Sequence, residues 1–446
     1  MNRLLLWRRR VLLVLALLLL ATALPGAASQ PVQPTLPAGT YRIEGVADRE
    51  ARDAIVAVGV VIDGVGPDYV EVTVNAYDAR RLAALGYVMR PVLQSLAPAA
   101  VDQAYHSYDE MVAEIQQVAA AHPELVQLSS IGESDQGRTL WLARVTSAAN
   151  PDQPKPEALF VGHYHAREHL TVEMLLGILH LLVDNYAQPG QEQITRLLDR
   201  RVVWLIFDLN PDGGEYDIAD GFYRSWRKNR QGNSCERDIG NGPNIGTDMN
   251  RNHSYKWGRA GASPDPCSDN YQGPSAASSP EISALEAFVR SRAAGGEQRI
   301  TVAISFHTYG ELILWPYGYT SARLPADMDP VDYNVLVAMG TAMAQTNGYR
   351  PIQSNQLYTT SGDFNDWAYG EQRIFAYTFE MFGGSYGFYP PGTLIKRETE
   401  RNFAAVLYLL EQADCPYRTT GAVERCTTGM RFTPQQRVWL PQVGKF

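Results

Sequence analysis

Two hydrophobic periodicities divide the chain. Between Tyr41 and Met89, "YRIEGV" and "YVEVTV" alternate apolar and polar positions with period two, and "DARRLAALG" reads as a short helix closed by a glycine. The predicted order is strand, helix, two strands, helix, strand, a small α+β unit resembling a split βαβ module. "RPVLQSLAPAA", residues 90–100, has the proline and small residues of a linker. From Val101 to about Gln412 apolar runs that end in loops alternate with amphipathic stretches, which predicts an α/β sheet. Helices are expected over "YDEMVAEIQQVAAAH", "LTVEMLLGILHLLVDNY", "SPEISALEAFVRSRA", "PVDYNVLVAMGTAMAQT" and "KRETERNFAAVLYLLEQ". Strands are expected over "EALFVG", "RVVWLIFDLN", "RITVAISFH" and "IFAYTFE". These runs are almost continuously apolar, which suits a sheet covered on both faces. The polar tail beyond Gln412 has no clear period.

Three further features narrow the class. Arg8, Arg9 and Arg10 precede an apolar run from Val11 to about Ala23, with Gly26 and Ala28 after it. This is the layout of a secretory signal, short for a membrane span, so the mature protein is expected outside the cell with no membrane attachment after signal removal. A formal net charge of -9 argues against a nucleic-acid binder, which would carry a basic footprint. Four cysteines fit an oxidising compartment, and their grouping predicts pairing of Cys235 with Cys267 and of Cys415 with Cys426.

Ligands in open α/β sheets bind beyond the carboxyl ends of the strands. Those ends carry His163, His165 and Glu168 after "EALFVG", Asn210 and Asp212 after "RVVWLIFDL", His307 after "RITVAISF" and Glu380 after "IFAYTF". Two zinc readings compete. "HAREH", residues 165–169, fits H-x-x-E-H, in which two helical histidines bind zinc and the glutamate between them is the base. That motif needs helix at His165, three residues after a strand ends, and leaves His307 and Glu380 without roles. The other reading takes His165, Glu168 and His307 as a His₂Glu ligand set, with a separate carboxylate as base. The second accounts for more of the rim.

At this point the chain resembles the zinc carboxypeptidases, the family of pancreatic carboxypeptidases A and B, and more closely their secreted bacterial relatives of the carboxypeptidase T type. The resemblance runs from about Ser107 to Gln412 and rests on several ordered motifs. These are "HARE" (165–168), "NPDG" (210–213), "RSWRKNR" (224–230), "DMNRN" (248–252), "SFHTYGELILWPYG" (305–318), "DFNDW" (363–367) and "TFE" (378–380). It implies a mixed, largely parallel central sheet with helices on both faces, and one Zn²⁺ held by His165, Glu168 and His307. It implies Glu380 as general base and proton shuttle, Arg227 as the oxyanion-stabilising cation, and Asp248 as the acceptor that orients His165. Asn250 and Arg251 would hold the substrate's terminal carboxylate, Tyr358 would close over it, and Arg167 would serve an outer subsite. Arg224, Lys228 and Arg230 read as a solvated face.

The position matching Asn365 lies at the floor of the side-chain pocket in that family, and Asp363 resembles the displaced acid of the bacterial relatives. Together they predict broad specificity, apolar residues first and basic ones also accepted. The resulting division is a signal at 1–28, an inhibitory pro-segment at 29–100, a catalytic domain at 101–412 and a C-terminal extension at 413–446. Peptide or protein C-termini are the expected substrates, a separate activating protease is expected to cut near Leu93 to Val101, and the mature enzyme is expected to be a monomer. A carboxypeptidase acting on diaminopimelate-ended cell-wall peptides is the alternative, and an inactive binding module on the same scaffold is a more remote one.

Overall fold

The computed structural model describes residues 36–92, 99–151, 153–237 and 242–426. The expected signal segment, the stretch 93–98 within the expected cleavage region, and the tail from residue 427 lie outside them. The N-terminal unit is a four-stranded antiparallel sheet of β1 (Gly39–Glu44), β2 (Gly64–Val65), β3 (Tyr69–Val74) and β4 (Met89–Pro91), in the order β2-β3-β1-β4. Its helices, Arg49–Ala57 and Ala76–Ala84, begin at Asp48 and Asn75, whose side chains accept from main-chain N–H groups of the first turn. Alternation along β3 buries Val70, Val72 and Val74 against these helices.

The larger sheet comprises β5 (Val126–Glu133), β6 (Thr139–Val145), β7 (Glu157–Val161), β8 (Val202–Ile206), β11 (Ile300–Thr308), β12 (Leu312–Trp315), β13 (Arg350–Gln353) and β14 (Phe375–Met381). A two-stranded ribbon, β9 (Ala293–Ala294) and β10 (Glu297–Gln298), stands apart from it. The order β13-β12-β14-β11-β7-β8-β6-β5 gives a mixed sheet. The central run β14-β11-β7-β8 is parallel, whereas β12–β14, β8–β6 and β6–β5 pair antiparallel. Every residue of β7, β8 and β11 is buried, as their continuous apolar character requires when helices cover both faces. Leu170–Val183, Pro280–Ser291, Pro330–Asn347 and Phe403–Gln412 are among the helices packed on the sheet.

Two elements differ from the pattern reading. "RVVWLIFDLN" leaves the sheet at Ile206, and Asn210 caps a helix, Pro211–Ile218, by accepting from Gly213 N at 3.1 Å. The helix expected over residues 396–412 is broken into Ile395–Glu400 and Phe403–Gln412. At the break Asn402 is fully buried, donates to Glu398 O and Tyr349 Oη and accepts from Asn347, so polar satisfaction of one side chain interrupts the helix. Both expected disulfides, Cys235–Cys267 and Cys415–Cys426, are formed. Among the described residues no helix is long and apolar enough to cross a membrane.

Candidate metal centre and substrate cavity

Strand register assembles the centre. β11 and β14 run parallel with His307 opposite Glu380, so both emerge at the same carboxyl edge. On the other side of β11, β7 ends at Val161, level with Ser305. The chain then turns sharply: a Cβ at Gly162 would stand 2.9 Å from Phe207 O and from Thr171 O, so only glycine lets the backbone pass there. His163 follows at φ +56°. It is buried, with Nδ1 at 2.9 Å from Asp208 and Nε2 at 2.9 Å from Ala166 O, and so braces the turn 163–168. Burial opposes its charge, but Asp208 outweighs that and raises the imidazole pKa to about 9.

The turn delivers His165 and Glu168 to His307. His165 Nδ1 lies 2.7 Å from Glu168 Oε1, and His307 Nδ1 lies 3.0 Å from Glu168 Oε2 and 3.2 Å from His165 Nδ1. Among the described residues this is the one group of three or more metal-ligating side chains that converges closely. Neighbouring donors of a tetrahedral ion with bonds of about 2.0–2.1 Å stand about 3.3 Å apart, so the two imidazole nitrogens and the Glu168 carboxylate, 2.7–3.2 Å from one another, fit one zinc. Their far sides are also arranged for it. His165 Nε2 faces Asp248 Oδ1 at 3.3 Å and His307 Nε2 faces Ser305 Oγ at 2.8 Å. Those acceptors keep the protons on Nε2 and turn the Nδ1 lone pairs inward. The H-x-x-E-H reading fails on geometry. Helix begins only at Leu170, and His169 points away to Asp217 at 3.0 Å.

A cavity of about 60 Å³ adjoins the triad, lined by His165, Glu168, Arg227, Asn250, Arg251, Tyr358, Asp363, Asn365 and Glu380 together with Thr308, Leu314, Ser354, Leu357, Thr360, Thr378, Phe388 and residues Ile62 and Asp63 of the N-terminal unit. Burial, and then the neighbouring Glu168, push the Glu380 carboxyl well above the usual carboxylate range. Arg227 donates from Nε and Nη2 to Asp248 Oδ2 at 3.1 and 2.9 Å. Burial disfavours its charge, yet Asp248 and Glu168 more than restore it and raise its pKa.

Asn250 accepts from Phe364 N with Oδ1, which leaves its amide N–H₂ for the cavity. Arg251 spends Nε on Gly261 O and Nη1 on Asn250 O, leaving Nη2. Asn365 donates to Leu314 O, and its Oδ1 is buried without a protein partner. Asp363 caps the helix Phe364–Gln372 and accepts from Asp366 N and Thr360 Oγ1, so both its oxygens are engaged.

The structure corrects part of the sequence reading. Lys228 is not on a solvated face. It is buried and donates to Asn244 O, Pro266 O and Ser268 O. Arg224 and Arg230 are half-buried, each stacked on Tyr216. Asp212 lies away from the centre, bonded to Ser134, Gln136 N and Arg138. Arg167 sits behind the cavity, its guanidinium 4.0 Å over the Phe388 ring and 2.5 Å from Asp63. Asp63 was not foreseen; a lone acid in "VVIDGVG" is the sole sequence signal.

The zinc carboxypeptidase family profile matches residues 111–405. A zinc carboxypeptidase of Saccharothrix mutabilis subsp. capreolus is 43% identical over 319 residues, covering 71% of each chain. Carboxypeptidase B of Astacus astacus is 33% identical over 307 residues, covering 68% of this chain and 94% of that one. The crystal structure of carboxypeptidase A from Helicoverpa armigera aligns with a TM-score of 0.69 at 22% identity, over 87% of this chain and 99% of that chain, a likeness of fold.

Proposed function

We propose, from the premise that the chain belongs to the zinc carboxypeptidase family and is a metal-dependent hydrolase of peptide C-termini, that it is a secreted exopeptidase of broad specificity made as an inhibited precursor. The observation that carries the proposal is the convergence of His165, Glu168 and His307 beside a cavity shared by Arg227, Asn250, Arg251 and Glu380. Zinc bound by the triad supplies a Lewis acid for the scissile carbonyl and brings the pKa of water down to about 7.

The chain's own groups supply the rest. Asn250 N–H₂ and Arg251 Nη2 hold the free carboxylate, a planar anion that suits a guanidinium. This contact restricts the enzyme to the last peptide bond. Arg227, anchored through Nε and Nη2, directs its remaining N–H groups at the carbonyl oxygen as negative charge develops there. Glu380 takes a proton from the attacking water and returns it to the leaving amine nitrogen as the C–N bond breaks. Tyr358, half-buried at the mouth, covers the bound residue. The uncharged, unpartnered Asn365 Oδ1 favours a pocket that accepts apolar side chains and tolerates donors. Asp363 supplies the negative field for basic ones.

Residues 29–100 are read as the inhibitory segment. Asp63 enters the cavity and pairs with Arg167 where both side chains are 1% exposed. Arg52 donates to Gln356 O and Leu357 O, while Asp53 accepts from Thr359 N and Oγ1, so one helix of the N-terminal unit grips the segment carrying Tyr358. With these groups in place only a few waters fit the cavity.

The test compares uncleaved and processed protein on peptides differing in the last residue, with and without a chelator. The processed form should release apolar and basic C-terminal residues, lose activity with the chelator and ignore C-terminal amides, while the uncleaved form stays silent. Equal hydrolysis of acid and amide would overturn the exopeptidase reading.

A further inference from the structure

We infer that Lys228 is a positioning residue for the substrate's carboxylate end: its buried ammonium, by gripping the carbonyls of Asn244, Pro266 and Ser268, sets the register of the loop that presents Asn250 and Arg251. This rests on the reading that those two residues hold the carboxylate.

Three consecutive residues fasten the same loop. Arg227 reaches Asp248, and Asn229 exchanges its backbone N–H and side-chain oxygen with Thr247, at 3.1 Å to Thr247 O and 2.8 Å from Thr247 N. Between them Lys228 Nζ lies 2.6 Å from Asn244 O, 3.0 Å from Pro266 O and 3.0 Å from Ser268 O. An ammonium has three donors and no acceptor, so this one is saturated by three carbonyls and by no side chain.

The carbonyls belong to two limbs of one irregular excursion. The first, around Asn244, leads into Asp248, Asn250 and Arg251. The second returns through Gly261 and the disulfide at Cys267. Arg251 bridges them, since its Nε donates to Gly261 O at 3.0 Å. Gly261 in turn lies against the backbone of Thr359 and Thr360, beside Tyr358.

Lys228 is therefore the point charge that fixes the spacing of the limbs between which Arg251 is strung. Burying a cation is costly unless it is paired. Merely filling this volume would not call for one; holding three oxygens at fixed distance from a common point does.

The test uses processed, zinc-loaded enzyme on a peptide with a free C-terminus, comparing wild type with Lys228→Met. The expected result is a KM raised about tenfold or more with kcat within about threefold, the signature of lost substrate binding, and unchanged zinc content. An unchanged KM, or a fall confined to kcat, overturns the role. If Lys228→Met does not accumulate as folded protein, Lys228→Arg is read instead. It keeps the charge but spreads it over a fork that cannot meet three converging carbonyls, so a raised KM supports the role and a wild-type KM overturns it. Failure of the wild type itself to distinguish peptide acid from amide would sink the functional reading instead, before any variant is compared.

Discussion

Asp248 offers the sharpest quantitative test of the centre, because each of its oxygens serves a different partner. Oδ1 accepts from His165 Nε2 at 3.3 Å and from Asn250 N at 3.0 Å; Oδ2 accepts from Arg227 Nε and Nη2 at 3.1 and 2.9 Å. All four partners are donors, and the carboxylate is completely buried. Asp248→Asn keeps the shape but provides one accepting oxygen, so the amide N–H₂ must confront one pair of donors. Turned toward Arg227, it would leave a buried guanidinium unpaired, at about 3–5 kcal/mol. Turned toward His165 and Asn250, it leaves neutral donors unsatisfied, at about 1–3 kcal/mol. The second orientation wins. His165 then loses the acceptor that fixes its tautomer, a change that typically costs about 10–100-fold in metal affinity. Competition against a chelator of known zinc affinity should show a loss of that size. At saturating zinc, activity should recover to within about tenfold of wild type, because Arg227 keeps its oxygen. Unaltered zinc affinity, or an activity loss that zinc does not relieve, would refute this division of labour.

Two further outcomes follow. His307→Ala should abolish zinc binding and hydrolysis, whereas His169→Ala should keep both; the reverse would restore the helical H-x-x-E-H reading. His106 lies 2.9 Å from Glu114 and 3.0 Å from Glu173, and hydrogen bonds to Glu114 first and Glu173 next raise its pKa to about 10. A raised imidazole pKa stabilises the fold fully below about pH 6.5, and that contribution disappears as pH climbs toward 10. The Tm of wild type should therefore fall further between pH 7 and 10 than that of His106→Gln, and parallel curves would refute the linkage.

Much of the centre was legible because apolar strands stop abruptly where chemistry begins. His307 and Glu380 close largely hydrophobic runs and His165 lies four residues beyond another, and the parallel register that makes His307 and Glu380 neighbours follows from their two runs being central strands. What could not be read depends on distant surfaces. Asp63 acquires its meaning from Arg167, 104 residues away along the chain. Lys228 looked solvated because "RSWRKNR" is dense in charge, and nothing in its neighbourhood announces that residues 244–268 will fold over it. The short strands β12 and β13, four residues each, carry too few positions for a period to register.

The grip of Arg52 and Asp53 on residues 356–359 falls on main-chain atoms, with the Thr359 hydroxyl as the exception, and Ser268 likewise donates to Gly59 O. A handhold made of backbone is blind to which side chains the held segment displays. For the inhibitory role proposed for residues 29–100, the side chains at 356–358 can therefore drift without dismantling the latch, because what Arg52 and Asp53 hold there is backbone.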